Sequence, residues 1–224
     1  MQRHTPRSLT APTWAAGLVA SLLASLSWAG GALPSLDSPE LAQGAYSSMH
    51  MLLQKTVLKI DVATVDVRVD RPTQAHFAEL ARGQPYSYPL DAQLASAAIA
   101  APHVVVQMQF VRDVPLNRWI GVVRDNLELA RKAGLITQEI EQKVSNAIPA
   151  WFAPLAERGY QKNDRLIYSI TPDTLRTLVV SGRGQLLFDL SDREAGVRGV
   201  VMASYFAPRS DTREPLIRSL LERR

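Results

Sequence analysis

The stretch from His103 to Gly134 limits the possible folds more than any other part of this 224-residue chain. Val104, Val106, Met108 and Phe110 alternate with Val105, Gln107, Gln109 and Val111, a period of two with one strongly apolar face. At Pro115 the period becomes 3.6. Leu116, Trp119, Ile120, Val123, Leu127 and Ala130 recur at helical spacing, while Arg118, Arg124, Glu128, Arg131 and Lys132 fall elsewhere on the wheel. Pro115 suits the first helical turn, where its missing N–H has no helical partner. Gly134 suits the position just past the end, where a left-handed backbone is cheap for glycine. A buried strand therefore runs straight into an amphipathic helix, with Glu128 and Lys132 as an i,i+4 pair in the favourable order.

Residues 1–29 have the layout of a secretory signal. Arg3, His4 and Arg7 precede an uncharged run from Thr10 to Ala29, and Ser27-Trp28-Ala29 places small residues where a signal peptidase reads them. An uncleaved anchor is the competing reading, since about twenty uncharged residues just span a bilayer. The run's many Ala, Ser and Gly residues favour cleavage, which leaves no stable membrane span and a periplasmic or secreted domain. No cysteine follows the apolar run, so lipidation at a cysteine is excluded.

Cleavage after Ala29 leaves 195 residues and lowers the net charge from +4 to +2, because Arg3 and Arg7 are lost and no acidic residue precedes Asp37. That length is one domain, able to bury a core without staples. With no cysteine in an exported chain, neither a disulfide framework nor thiolate chemistry is available. A nucleic-acid partner needs a concentrated basic face. The one local cluster, Arg209, Arg213, Arg218, Arg223 and Arg224, is interleaved with Asp211, Glu214 and Glu222 and reads as a solvated helix face. Nucleic acid is therefore not expected as a partner.

Residues 30–45 form a linker rich in Gly, Pro and Ser, and the domain occupies 46–224. From Met49 to Asp70 the signal is β. The apolar phase slips between Val62 and Val65, so a turn or bulge near Ala63-Thr64 is needed to bring both halves onto one core. Thr73 to Arg82 suits a short helix ending at Gly83, and Asp91 to Ala101 a second, alanine-rich one. Thr137 caps a helix carrying Ile140, Val144 and Ala147 on one face; Pro149 interrupts or restarts it. Asp164–Ile170, Thr174–Val180 and Gln185–Leu190 then read as a meander, with turns at Thr171-Pro172-Asp173 and Ser181-Gly182-Arg183-Gly184. Helices over Val200–Phe206 and Thr212–Leu221 close the chain. The order implies an α+β domain, helices laid on an antiparallel sheet.

Little in the sequence carries overt chemistry. His50, His76 and His103 lack metal-ligand spacing, so no metal and no cofactor are expected. Asp61, Asp66 and Asp70 read as a solvated sheet face. Gly182-Arg183-Gly184 lacks the strand-to-helix context of a phosphate loop, and no GxSxG elbow occurs.

Phe110-Val111-Arg112-Asp113-Val114 between strand and helix, Lys162-Asn163-Asp164-Arg165-Leu166 opening the meander, Gly182, Ser204-Tyr205-Phe206, Pro208 and Leu220-Leu221 together resemble the bacterial branch of the chalcone isomerase-like proteins. The resemblance covers 103–222 well and 46–70 loosely. It implies a ligand cleft between the sheet and the central helix. Plant isomerases of this family use an early-strand arginine, a tyrosine and threonine on strands, and a tyrosine, a lysine and an asparagine on the helix. Aligned through the helix, Asn126 stands at the asparagine, Trp119 at the tyrosine and Val122 at the lysine. No arginine precedes Leu58 on the early strands, where Asp61 and Asp66 would oppose a developing enolate. The same missing arginine weighs against a fatty-acid carboxylate.

The expectation is thus an exported non-catalytic domain that binds a small apolar ligand or an envelope partner, with Trp119 and Asn126 as ligand-binding candidates and no catalytic residue. An isomerase or lyase with an altered residue set is the alternative. The bland readings stand beside these: Trp119 as a core residue, Asn126 as a solvent-facing or structural one.

Overall fold

In the computed structural model, residues 48–55, 60–194 and 196–222 are described. The expected signal peptide, the linker and Leu58 lie outside them.

Six strands form one antiparallel meander in the order β1 to β6: β1 Ser48–Lys55, β2 Ile60–Val69, β3 Val104–Phe110, β4 Arg165–Ile170, β5 Leu175–Val180 and β6 Leu186–Asp192. Between β2 and β3 stand α1 (Arg71–Leu80) and α2 (Tyr88–Ala100). Between β3 and β4 stand α3 (Leu116–Lys132) and α4 (Gln138–Trp151), and after β6 come α5 (Val197–Phe206) and α6 (Arg213–Glu222). The expected α+β class is the one found.

Strand parity assigns the core. Val65, Val67 and Val69 on β2, Val104, Val106 and Met108 on β3, and Leu166 and Ile170 on β4 share one buried cluster with apolar residues of all six helices. The opposite parity supplies a smaller cluster of Val105, Ile167, Leu178 and Val180. The single β signal expected from Met49 to Asp70 resolves into two paired strands, Met51 facing Val65 and Leu53 facing Ala63. The bulge falls at Val62: Leu53 pairs with Ala63 but Gln54 with Asp61, so Val62 is the extra residue.

α3 begins after Pro115, whose carbonyl accepts from Arg118 and Trp119 at 3.1 Å each, and Gly134 takes φ +72° just past its end. Thr137 caps α4 through its hydroxyl, 3.2 Å from the Ile140 N–H. Pro149 neither interrupts nor restarts that helix, which continues to Trp151. Proline removes the N–H that would bond the Ser145 carbonyl four residues back. Arg124 of α3 replaces it, donating to that carbonyl at 2.9 Å.

Two expectations about charge are corrected. Asp70 is not on a solvated face: it is 5% exposed and accepts from the backbone of Thr73 at 2.8 Å and of His103 at 3.2 Å. It caps α1 and ties the end of β2 to the start of β3, a contact across 33 residues that parity cannot reveal. Asp61 is exposed and accepts from Gln54 at 2.8 Å. Likewise Arg213 is drawn inward, 2.7 Å from the buried carboxylate of Asp91 on α2, while Arg218 lies over the Tyr86 ring at 3.8 Å.

Candidate functional site

A cavity of about 680 Å³ lies between the sheet and the helices. Met108 and Phe110 of β3, Tyr168 of β4, and Leu175 and Thr177 of β5 form its floor, joined by Leu53 and the bulged Val62. α3 contributes Trp119, Val122, Val123, Asn126 and Leu127. Val144, Ile148 and Trp151 of α4 and Val197, Val200 and Tyr205 of α5 close the remaining walls. The lining is mostly apolar because floor and walls are the core faces of their own elements, held slightly apart.

The aromatic wall beside α3 is braced. Val114 and Tyr160 exchange both backbone hydrogen bonds, at 2.8 and 2.9 Å, which sets the Tyr160 ring on Phe110 at 4.0 Å and edge-on to Trp119 at 5.4 Å. Gly159 permits this approach. Its φ is +62°, and a Cβ there would stand 2.6 Å from the Val114 carbonyl oxygen. Trp119 also meets Phe152 at 4.6 Å. Trp119 is thus both a core residue and a cavity wall, and Asn126 faces the same space from two turns further along α3.

Besides Asp113, which accepts from the Lys162 N–H at 2.8 Å, Asp211, and the Ser204 and Thr212 hydroxyls, which donate to the carbonyls of Val201 and Tyr205, two sets of polar groups line the cavity. Arg112, just beyond β3, and Arg118, in the first turn of α3, bring guanidiniums to its exposed part; neither is paired with a carboxylate among the described residues. The second set is Tyr168, Thr177 and Tyr205. Tyr168 and Thr177 face each other directly across β4 and β5. Among the described residues, none of the three side-chain hydroxyls, nor the Asn126 amide, has a hydrogen-bond partner in the protein. The Tyr160 hydroxyl is wholly buried and also unpartnered.

Burial pushes the Tyr160 phenol well above the usual phenol range, and Tyr168, Tyr205 and Asp164 push it further. Burial does the same to Tyr168, with Tyr205 adding to it, and burial raises Tyr205. All three are neutral donors at physiological pH, close enough to feel one another.

Sequence reasoning singled out Trp119 and Asn126 and missed this second set. Parity carries part of the signal, since Tyr168 shares the core face with Leu166 and Ile170, and Thr177 with Leu175 and Val179; that the two polar residues are neighbours follows only from the register. Among the described residues no three His, Asp or Glu side chains converge as a metal site, and no helix is long and apolar enough to cross a membrane.

The Asp164 motif has a structural task. Asp164 is 1% exposed. Its carboxylate accepts from Arg158 and from the Gln161 N–H at 2.8 Å each and from the Gly182 N–H at 3.1 Å. The loop before β4 and the β5–β6 turn are thereby joined. Asn163 takes φ +70° at the same point, and a Cβ on Gly182 would lie 3.0 Å from that of Asn163.

No family model and no curated protein matches this sequence. Among solved structures, the crystal structure of a fatty-acid binding protein from Arabidopsis thaliana matches with a TM-score of 0.51 and 11% identity, over 77% of this chain and 86% of that one. At such low identity the likeness speaks to architecture alone: the fold is α+β and chalcone isomerase-like, as the motifs implied.

Proposed function

We propose that this chain is an exported, non-catalytic member of the bacterial chalcone isomerase-like group that binds a single-chain aliphatic amphiphile. The observation that carries the reading is the cavity itself. Its volume, about 680 Å³, lies within the ~300–1,000 Å³ of small-molecule sites, and its walls are predominantly apolar with a few polar groups, as such sites are. The fatty-acid binding protein of the same fold supports this ligand class. The early-strand arginine whose absence weighed against a carboxylate has a substitute here, since Arg112 and Arg118 reach the cavity from another part of the chain. Trp119 serves as a wall of the ligand site and Asn126 as one of its polar groups. Export rests on the charged start, the apolar run and Ser27-Trp28-Ala29.

Two experiments test this. Mass spectrometry of small molecules co-purifying with the protein from a Gram-negative periplasm should find an aliphatic amphiphile on a chain beginning near Gly30; recovery only of membrane-bound protein retaining Met1 would refute export. The enzyme reading requires stereoselective ring closure of a hydroxychalcone. Cyclisation needs positive or hydrogen-bonding groups where enolate charge develops, and losing one such donor commonly costs about 10²–10³ in rate. With Val122 and Trp119 beside Asn126, the expected product is the racemate of the spontaneous reaction. Enrichment of one enantiomer, abolished in Asn126→Ala, would restore the enzyme.

A further inference from the structure

The cavity holds more hydrogen-bonding capacity than a plain hydrocarbon tail can use. Tyr168, Thr177 and Tyr205 line it from β4, β5 and α5, with no protein partner for their hydroxyls among the described residues. Tyr160 adds a fully buried, unpartnered hydroxyl behind the Phe110–Trp119 wall. Of these four hydroxyls only that of Tyr160 is wholly buried without a partner, at a cost of about 1–3 kcal/mol; the other three open onto the cavity and are free to bond what enters it. Ordinary packing would put Phe and Val at these positions. The parity that places Leu166, Ile170, Leu175 and Val179 in the core would accept them without change.

The groups differ in kind from those at the exposed part. Both lining arginines lie between residues 112 and 118, next to Phe110 at the far end of β3. Tyr168 pairs with Val106, four residues back along that strand, or about 13 Å of extended chain. The hydroxyl set therefore contains neutral donors only, with no Lys or Arg among its members. It suits an uncharged oxygen acceptor and offers nothing to balance a full anion.

We propose that Tyr168, Thr177 and Tyr205 form an inner subsite for an uncharged oxygen, a carbonyl or hydroxyl borne on the apolar part of the ligand, while the arginines face its charged head. The inference rests on the ligand-binding reading above and deepens it. A site built to hydrogen-bond an oxygen discriminates strongly against the analogue that lacks it, because its own polar groups are then left unpaired.

Two probes separate this inference from the reading beneath it: decanoate and 9-oxodecanoate, alike in chain length and head group, differing by one inner carbonyl. Calorimetric titration of the mature protein should show 9-oxodecanoate binding at least about tenfold tighter. In Tyr168→Phe and in Tyr205→Phe, each checked for a melt no lower than the parent's, that advantage should fall below about threefold through weaker 9-oxodecanoate binding, while decanoate binds no more weakly than before. Thr177→Val serves as a third variant should either phenylalanine protein fail to fold. Equal affinity for the two probes would overturn the inner subsite and leave the ligand-binding reading intact. Weakening of both probes by the phenylalanine variants would also overturn it, since the hydroxyls would then hold the carboxylate. Binding of neither probe would overturn both.

Discussion

Of the polar clusters inside this fold, the one around Asp164 is complete and the one around Tyr168 is not. Around Asp164 both carboxylate oxygens have donors, a guanidinium and two backbone N–H groups, and the residue ties the loop before β4 to the β5–β6 turn. Around Tyr168, Thr177 and Tyr205 the hydroxyls face a cavity and meet nothing from the protein. Asp164 is the more deeply buried, Tyr168 being only half-buried, but the larger difference is in satisfaction. A closed network spends its hydrogen bonds on architecture, so its residues hold the fold. An open one keeps them for something that arrives from outside.

The largest expected effect comes from breaking the closed cluster. Asp164→Ala removes a buried carboxylate and leaves Arg158 and two backbone donors without their acceptor. Breaking a buried pair in this way costs about 3–5 kcal/mol. Urea melts of the mature domain should show that loss. A change below about 1 kcal/mol would mean the cluster is dispensable and the comparison mistaken.

The open cluster should announce itself in alkali. Phenols whose folded pKa lies above the unfolded value of 10.0 stay protonated in the native state while the unfolded chain ionises. Their stabilisation is present below that value and is lost as pH climbs past it. Between pH 9 and 11 each such tyrosine should cost on the order of 1 kcal/mol, so Tyr160, Tyr168 and Tyr205 together should cost roughly 3–4 kcal/mol. Tyr168→Phe should remove about a third of the slope. A slope unchanged in that variant would show that Tyr168 is solvated in the native state.

Trp119 belongs to both regimes, since one side packs on Phe152 and Tyr160 and another bounds the cavity. Deleting a large buried aromatic costs about 3–5 kcal/mol. With part of the ring already facing open space, Trp119→Ala should fall near the lower end, about 3 kcal/mol, in thermal or denaturant melts. A loss under about 0.5 kcal/mol would place the residue on the surface.

How far the sequence discloses these features follows from how local each one is. β3 and α3 are legible because a change of period, a proline and a glycine all fall within 32 residues of chain. The division of β1 from β2 is not: between Lys55 and Ile60 stand Thr, Val, Leu and Lys, with no Gly, Pro, Asn or Asp to mark a turn. Asp70, Asp164 and Arg213 look like ordinary surface charges until the fold brings His103, Gly182 and Asp91 to them. The site was half legible. Helical spacing placed Trp119 and Asn126 on the central helix, whereas Tyr168 and Thr177 acquire meaning only once β4 and β5 are in register.

The smallest expected effect gives the sharpest distinction, because it has the opposite sign. Tyr160 is fully buried, its ring stacked on Phe110, and its hydroxyl has no partner. Tyr160→Phe keeps the ring, the stacking and the edge contact with Trp119, and deletes a single oxygen. In a satisfied cluster that deletion costs about 1 kcal/mol, the usual net worth of a hydrogen bond. Where the oxygen was desolvated on folding and gained nothing in return, its removal relieves a penalty instead. The ligand-free domain should therefore gain about 1 kcal/mol, read as a raised urea midpoint with an unchanged m-value. A loss of similar size would show that the Tyr160 hydroxyl is bonded.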